Sequence, residues 1–172
     1  LDRSAALAED VHDSIEVARV ELARGDLEAE ATCDELAAPH YQRVRELVAV
    51  AGHMAETMAE TELHAAATLK LAQIHLQAGR LRQAGNDFLV VEGIATAMLR
   101  NPVVAAAASV GRGQVDLVCG DTVRARRSFE QAVNLYLAAG DERGELSARS
   151  FLAEVDRVDG NLLAAHQEVL KL

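Results

Sequence analysis

Six histidines and two cysteines are the side chains of this 172-residue chain best suited to hold a metal or attack a substrate. Their spacing supports neither role. His64 and His75 are eleven residues apart, which places them on one helical face but about 16 Å from each other, too far to share an ion. Glu60 and His64, four apart, could supply two ligands, where a zinc site takes three or four. Cys33 and Cys119 have no CxxC partner and read as small buried hydrophobes in a reducing, cytoplasmic compartment. Ser128, Ser147 and Ser150 lie in no strand-to-helix nucleophile turn. Gly111-Arg112-Gly113 is followed by no Lys-Ser/Thr and sits within a helical pattern, so it is not a phosphate loop. These residues point to a non-enzymatic chain with no cofactor and no metal.

Arginine offers one further cluster. Arg124, Arg126 and Arg127 group with Arg112, either as a clamp for an acidic partner or for an anion at the helix N-terminus, or as a solvated face paired with Glu130 and nearby acids. The solvated face is the simpler reading. The net charge of −10 is unevenly placed. Residues 1–62 hold fifteen acids and five arginines, the whole −10, while residues 63–172 hold twelve of each sign. An acidic first third argues against a nucleic-acid surface there, because phosphate contacts require cations. No apolar run is long enough to cross a membrane, and no secretory leader is apparent.

The elements that would position these residues are helices. Half of the chain is hydrophobic, but only 3% is aromatic. Ala is abundant and lets helices approach closely. Leu7, Val11, Ile15, Ala18 and Leu22 recur at helical spacing over 3–24. Gly25-Asp26 is expected to end that helix, and a second, 27–37, to end before Pro39. A third stretch begins near Tyr41 and either runs to 60 or breaks near Gly52. Helices then follow over 63–78, 81–99, 103–118, 122–138 and 143–158, with a last one to Leu172. Asn101-Pro102 suits a helix start.

Gly79, Gly120 and Gly160 stand 41 and 40 residues apart. Five residues after each comes Ala84, Ala125 or Ala165, and four later Phe88, Phe129 or Val169. Seven before each comes Ala72, Gly113 or Ala153. Antiparallel helices need small residues where they cross, and a larger one fills the gap to the next pair. At these residues the chain resembles the tetratricopeptide repeat family, whose second helix carries Ala-x3-Phe-x2-Ala. Ala125-x3-Phe129-x2-Ala132 matches it; Ala84-x3-Phe88-x2-Val91 and Ala165-x3-Val169-x2-Leu172 match in part. The early aromatic and the closing Pro of the family pattern are missing. The period exceeds the family's usual length of about 34. Longer units of this kind resemble those of bacterial signalling and transcription regulators. The likeness covers 63–172 and extends weakly to 11–38, with Gly25 as the turn.

The resemblance implies an all-α fold of antiparallel helix pairs stacked in a right-handed superhelix. One domain would span 1–172, irregular over 1–62 and regular over 63–172. It also implies recognition on a concave face lined by the first helix of each pair. The matching positions include Leu69, Gln73 and Leu76, then Val110, Gln114 and Leu117, then Glu154 and Arg157. Such an apolar groove with two amides suits a peptide or an amphipathic helix. The chain's own N-terminal helices could equally fill it. The function implied is a protein–protein interaction or sensor module of a bacterial regulator. The alternative is self-association through the apolar last helix and the Met54/Met58 stripe, giving a homodimer that controls an attached effector. Val169, Leu170 and Leu172 leave the last helix uncapped, which suggests a piece of a longer protein.

Overall fold

The computed structural model describes residues 2–31, 34–51 and 58–169, and these form an all-α protein with no strand among them. The helices are α1 (Asp2–Glu30), α2 (Asp34–Ala51), α3 (Met58–Gln77), α4 (Leu81–Ile94), α5 (Pro102–Val118), α6 (Thr122–Ala139), α7 (Glu142–Val158) and α8 (Leu162–Val169). The backbone divides into two compact units, 1–74 and 75–172.

In the first unit the helix boundaries differ from those expected. Gly25 ends nothing: α1 runs through it to Glu30. The reason is a close approach. A Cβ on Gly25 would lie 2.6 Å from the Tyr41 ring, so the missing side chain makes room for a buried aromatic. The Tyr41 hydroxyl donates to Asp26 Oδ1 at 2.8 Å, and Lys70 Nζ lies 3.1 Å from the same oxygen. Burial, reinforced by that carboxylate, pushes the Tyr41 phenol well above its ordinary range. Pro39 does not end a helix either; it lies inside α2, which opens on Asp34 and Glu35. Acids suit the positive end of a helix, and one proline near the start deletes only one backbone hydrogen bond. Tyr41 is therefore inside α2 rather than at the start of a third helix. The core of this unit is Ala18, Ala37, Tyr41, Val44, Leu63, Ala67 and Leu71, with Ile15 and Leu22 packed against it. The question of a break near Gly52 falls on residues 52–57, outside the described residues.

The second unit follows the expected punctuation closely. Gly79, Gly120, Gly140 and Gly160 have φ of +71°, +81°, +71° and +77°. Each closes its helix with the same pair of bonds. At the second turn Gly120 N donates to Leu117 O and Asp121 N to Asp116 O; at the third, Gly140 N to Leu137 O and Asp141 N to Tyr136 O. This is the C-terminal motif in which a left-handed residue lets the chain double back on its last carbonyls. Asp121 and Asp141 then cap the next helix, accepting from Arg124 N at 3.0 Å and Gly144 N at 2.9 Å. The Arg124 backbone N–H, and then its guanidinium, hold the Asp121 carboxyl below the usual carboxylate range.

One turn is built differently. After α4 the backbone widens into a π-helical turn, Ala95–Leu99, and Arg100 takes the left-handed conformation at φ +48°. Asn101 then caps α5, accepting from Val103 N and Val104 N, with Pro102 at the first helical position. A side chain in the left-handed region costs about 1–2 kcal/mol, partly offset because glycine loses more freedom on folding. Arg100→Gly should therefore raise stability by about 0.5–1 kcal/mol, read as a higher urea midpoint. No gain would mean that Arg100 is held by contacts worth more than its backbone strain.

Ring-on-glycine packing locks these helices together. A Cβ on Gly111 would overlap the Phe88 ring, one on Gly113 would lie 2.6 Å from Phe129, and one on Gly144 would overlap Tyr136. Phe129 also stacks on Phe151, with centroids 5.1 Å apart. Around it lie Ala106, Ala125, Ala132, Ala148 and Val155, all fully buried.

Candidate functional site

The expected groove residues lie on different elements, and each unit is described by itself. In the first, Leu69 is half-buried and Gln73 exposed on α3. In the second, Leu76 is half-buried at the end of α3. Val110, Gln114 and Leu117 form one half-buried stripe along α5. Val110 and Leu117 pack sideways against the core around Phe129. Helix α7, which packs against α5 as well as α6, carries Glu154 and Arg157. These two satisfy each other: Arg157 Nε and Nη2 donate to the two Glu154 oxygens at 2.7 and 2.5 Å. That bidentate pair holds the Glu154 carboxyl below its usual range and raises Arg157. The charges expected to face a partner therefore neutralise one another, and the stripe on α5 is left as a narrow apolar strip with one amide.

The arginine cluster is mostly engaged internally, though with other acids than Glu130. Arg112 donates to Glu92, which also accepts from Gln131 Nε2 at 2.7 Å and lies 3.5 Å from Ser109 Oγ. This knot ties α4, α5 and α6 together. Arg124 reaches Asp121 at 2.5 Å and Asp116 at 3.7 Å. Arg126 reaches buried Asp156 at 2.6 Å and Asp159 at 3.4 Å. The Asp156 carboxylate raises the Arg126 guanidinium further. Arg127 lies beside Glu130, Gln131, Asn134 and Leu135 in a shallow hollow on α6.

No sequence motif announces the cleft of about 600 Å³ where α4, α5 and the start of α6 meet. Leu81, Leu89 and Val115 line it with apolar surface; Arg82, Asn86, Arg112, Asp116 and Arg124 supply polar groups. Gly85 leaves its wall low, with Val115 Cγ1 3.7 Å from where a Cβ would stand. Cys119, expected to be buried, is exposed at the cleft's edge. It caps the C-terminus of α5, a position where the chain turns outward rather than into a core. The one signal available from sequence is Gly85 itself, a glycine in a helix interior beside the repeat's Ala84.

Among the described residues, no group of three or more His, Cys, Asp and Glu side chains comes together as a metal site. Glu60 is buried at the start of α3 and His64 half-buried one turn on. The remaining described histidines serve as hydrogen-bond partners within the fold where their contacts are seen: His40 with Glu21 at 2.6 Å, His75 with Asp87 at 3.0 Å. His40 is the main cause of a lowered Glu21 carboxyl. No helix among the described residues is long and apolar enough to cross a membrane. No protein-family model and no curated protein matches the chain.

Proposed function

We propose that this chain is a non-enzymatic interaction module. In this reading the helix pairs form a tetratricopeptide-like right-handed superhelix, and the first helices of the pairs hold a peptide or amphipathic helix. Binding would regulate an effector in a cytoplasmic bacterial signalling or transcription protein. The observation that carries the reading is the α5 stripe of Val110, Gln114 and Leu117, half-buried at helical spacing beside α7. A short apolar strip flanked by self-paired charges favours a partner that brings apolar anchors at i, i+3 and i+4.

The test must spare the core, and Leu117→Arg does not, because Leu117 packs against the Phe129 cluster. Gln114→Arg sits between the two apolar positions without entering that cluster. Captured from a bacterial lysate by the wild-type chain, a partner should be lost at least about tenfold by Gln114→Arg, with an unchanged melting temperature. Equal capture by both would place binding elsewhere.

A specific observation also supports self-association. Val158, Leu162 and Leu163 are 51%, 68% and 74% exposed, close together in sequence at the α7–α8 turn. Met58 is exposed too, whereas Met54 and Leu170 lie outside the described residues. Sedimentation velocity over a hundredfold concentration range should show a dimer that Leu163→Lys removes. A monomer throughout would end this alternative.

A further inference from the structure

We propose that the cleft between α4, α5 and the start of α6 binds a small amphiphilic anion, an apolar body bearing one carboxylate or sulfonate. This goes beyond the interaction face. At about 100° per residue, Arg112, Val115, Asp116 and Cys119 lie on the opposite side of α5 from Val110, Gln114 and Leu117. The two surfaces can thus be altered independently.

Size comes first. About 600 Å³ falls within the range of small-molecule sites, roughly 300–1,000 Å³. Lining chemistry comes second. Leu81, Leu89 and Val115 offer an apolar wall, and Gly85 lets a ligand lie against the α4 backbone. Charge comes third, and it selects the sign. Arg112 is held by Glu92, and Arg124 by Asp121 with a looser contact to Asp116. Arg82 has no hydrogen bond or ion pair with any described residue. It stands one helical turn from Asn86, whose amide can donate beside it. The cleft therefore keeps one uncommitted cation and one amide donor next to apolar surface, in a chain whose net charge is −10. A guanidinium in that position recognises a planar or tetrahedral oxyanion by paired N–H donors. Its placement beside leucines selects an anion with an apolar body over inorganic phosphate.

The probe is 8-anilinonaphthalene-1-sulfonate, titrated against the full chain by fluorescence. N-phenyl-1-naphthylamine, which has the same rings without the sulfonate, is the comparison. The sulfonate should bind saturably at one site and more tightly than the uncharged amine. Arg82→Glu should weaken it about tenfold and change the amine less than about twofold. Gly85→Leu, whose side chain would enter the cleft, should abolish both. Arg82 is exposed on α4, so its replacement leaves the fold intact even if Gly85→Leu disturbs it. Sulfonate binding that ignores both substitutions, weak unsaturable binding, or equal losses for the two probes with Arg82→Glu would overturn the assignment. Gln114→Arg should leave the titration unchanged. Failure of the partner test and failure of this one are therefore distinguishable.

Discussion

Phe129→Ala is expected to cost about 3–5 kcal/mol, the range for removing a fully buried aromatic. Phe129 is 0% exposed, and its ring holds three helices at once. It covers Gly113 on α5, stacks on Phe151 of α7, and stands among the alanines of α6. Each small neighbour brings backbone close, so the cavity left behind cannot collapse without moving a helix. Stability measured by urea unfolding should fall by that amount, and a loss below about 1 kcal/mol would mean the ring is not the keystone. The contact also predicts a reversal of sign. Gly113→Ala in the native chain puts a methyl 2.6 Å from the ring and should destabilise it. With Phe129→Ala already made, the same methyl enters vacated space. It should then be neutral or stabilising, because alanine is the better helix former by about 1 kcal/mol. The coupling in this double-mutant cycle is the test that the two residues touch as described.

Which features can be read from sequence follows from how many physical roles a residue has. Gly79, Gly120 and Gly160 are legible because a glycine near a helix end, recurring about every 40 residues, has one economical explanation: a left-handed helix terminus. Gly25-Asp26 presents the same letters as Gly120-Asp121 and does something else. There the glycine serves a contact with Tyr41, sixteen residues away, which local pattern cannot report. Pro39 is ambiguous for a related reason, since a proline near a helix start is tolerated and only the true start at Asp34 reveals its position. The stripe of Val110, Gln114 and Leu117 is legible because helical spacing alone defines it. The cleft is not, because it exists only when α4, α5 and α6 are brought together. Cys119 shows the limit of residue-type averages: cysteine is usually buried, but a helix C-terminus at a tight turn faces solvent. The ion pairs of Arg112, Arg124 and Arg126 follow from the sequence in kind but not in partner, because Glu92 and Asp156 reach Arg112 and Arg126 across helices.

Gly111 and Gly93 make the opposite pair of predictions from one residue type. Both are helical glycines, and propensity alone says that alanine should stabilise each by about 0.5–1 kcal/mol. Gly93 lies exposed on α4 with nothing within 4 Å of where a Cβ would stand, so Gly93→Ala should deliver that gain. Gly111 lies buried on α5 under the Phe88 ring, where an added Cβ would overlap three ring carbons. Phe88 is 1% exposed, so its ring does not border solvent into which it could swing. Contacts this short must be relieved by moving the ring or parting α4 from α5, and overpacking of this kind costs about 1–3 kcal/mol. Because propensity opposes it, the net loss for Gly111→Ala should be about 2 kcal/mol, the upper part of the range less the helical gain. The two variants should therefore move the urea midpoint in opposite directions. If both raised it, helix preference would govern this unit and the ring-on-glycine contact would carry little of its stability. If Gly111→Ala alone lowered it, and Phe88→Leu in the same chain restored most of the loss, the aromatic seat on α5 would be established as what sets the α4–α5 approach, and with it the shape of the cleft those helices enclose.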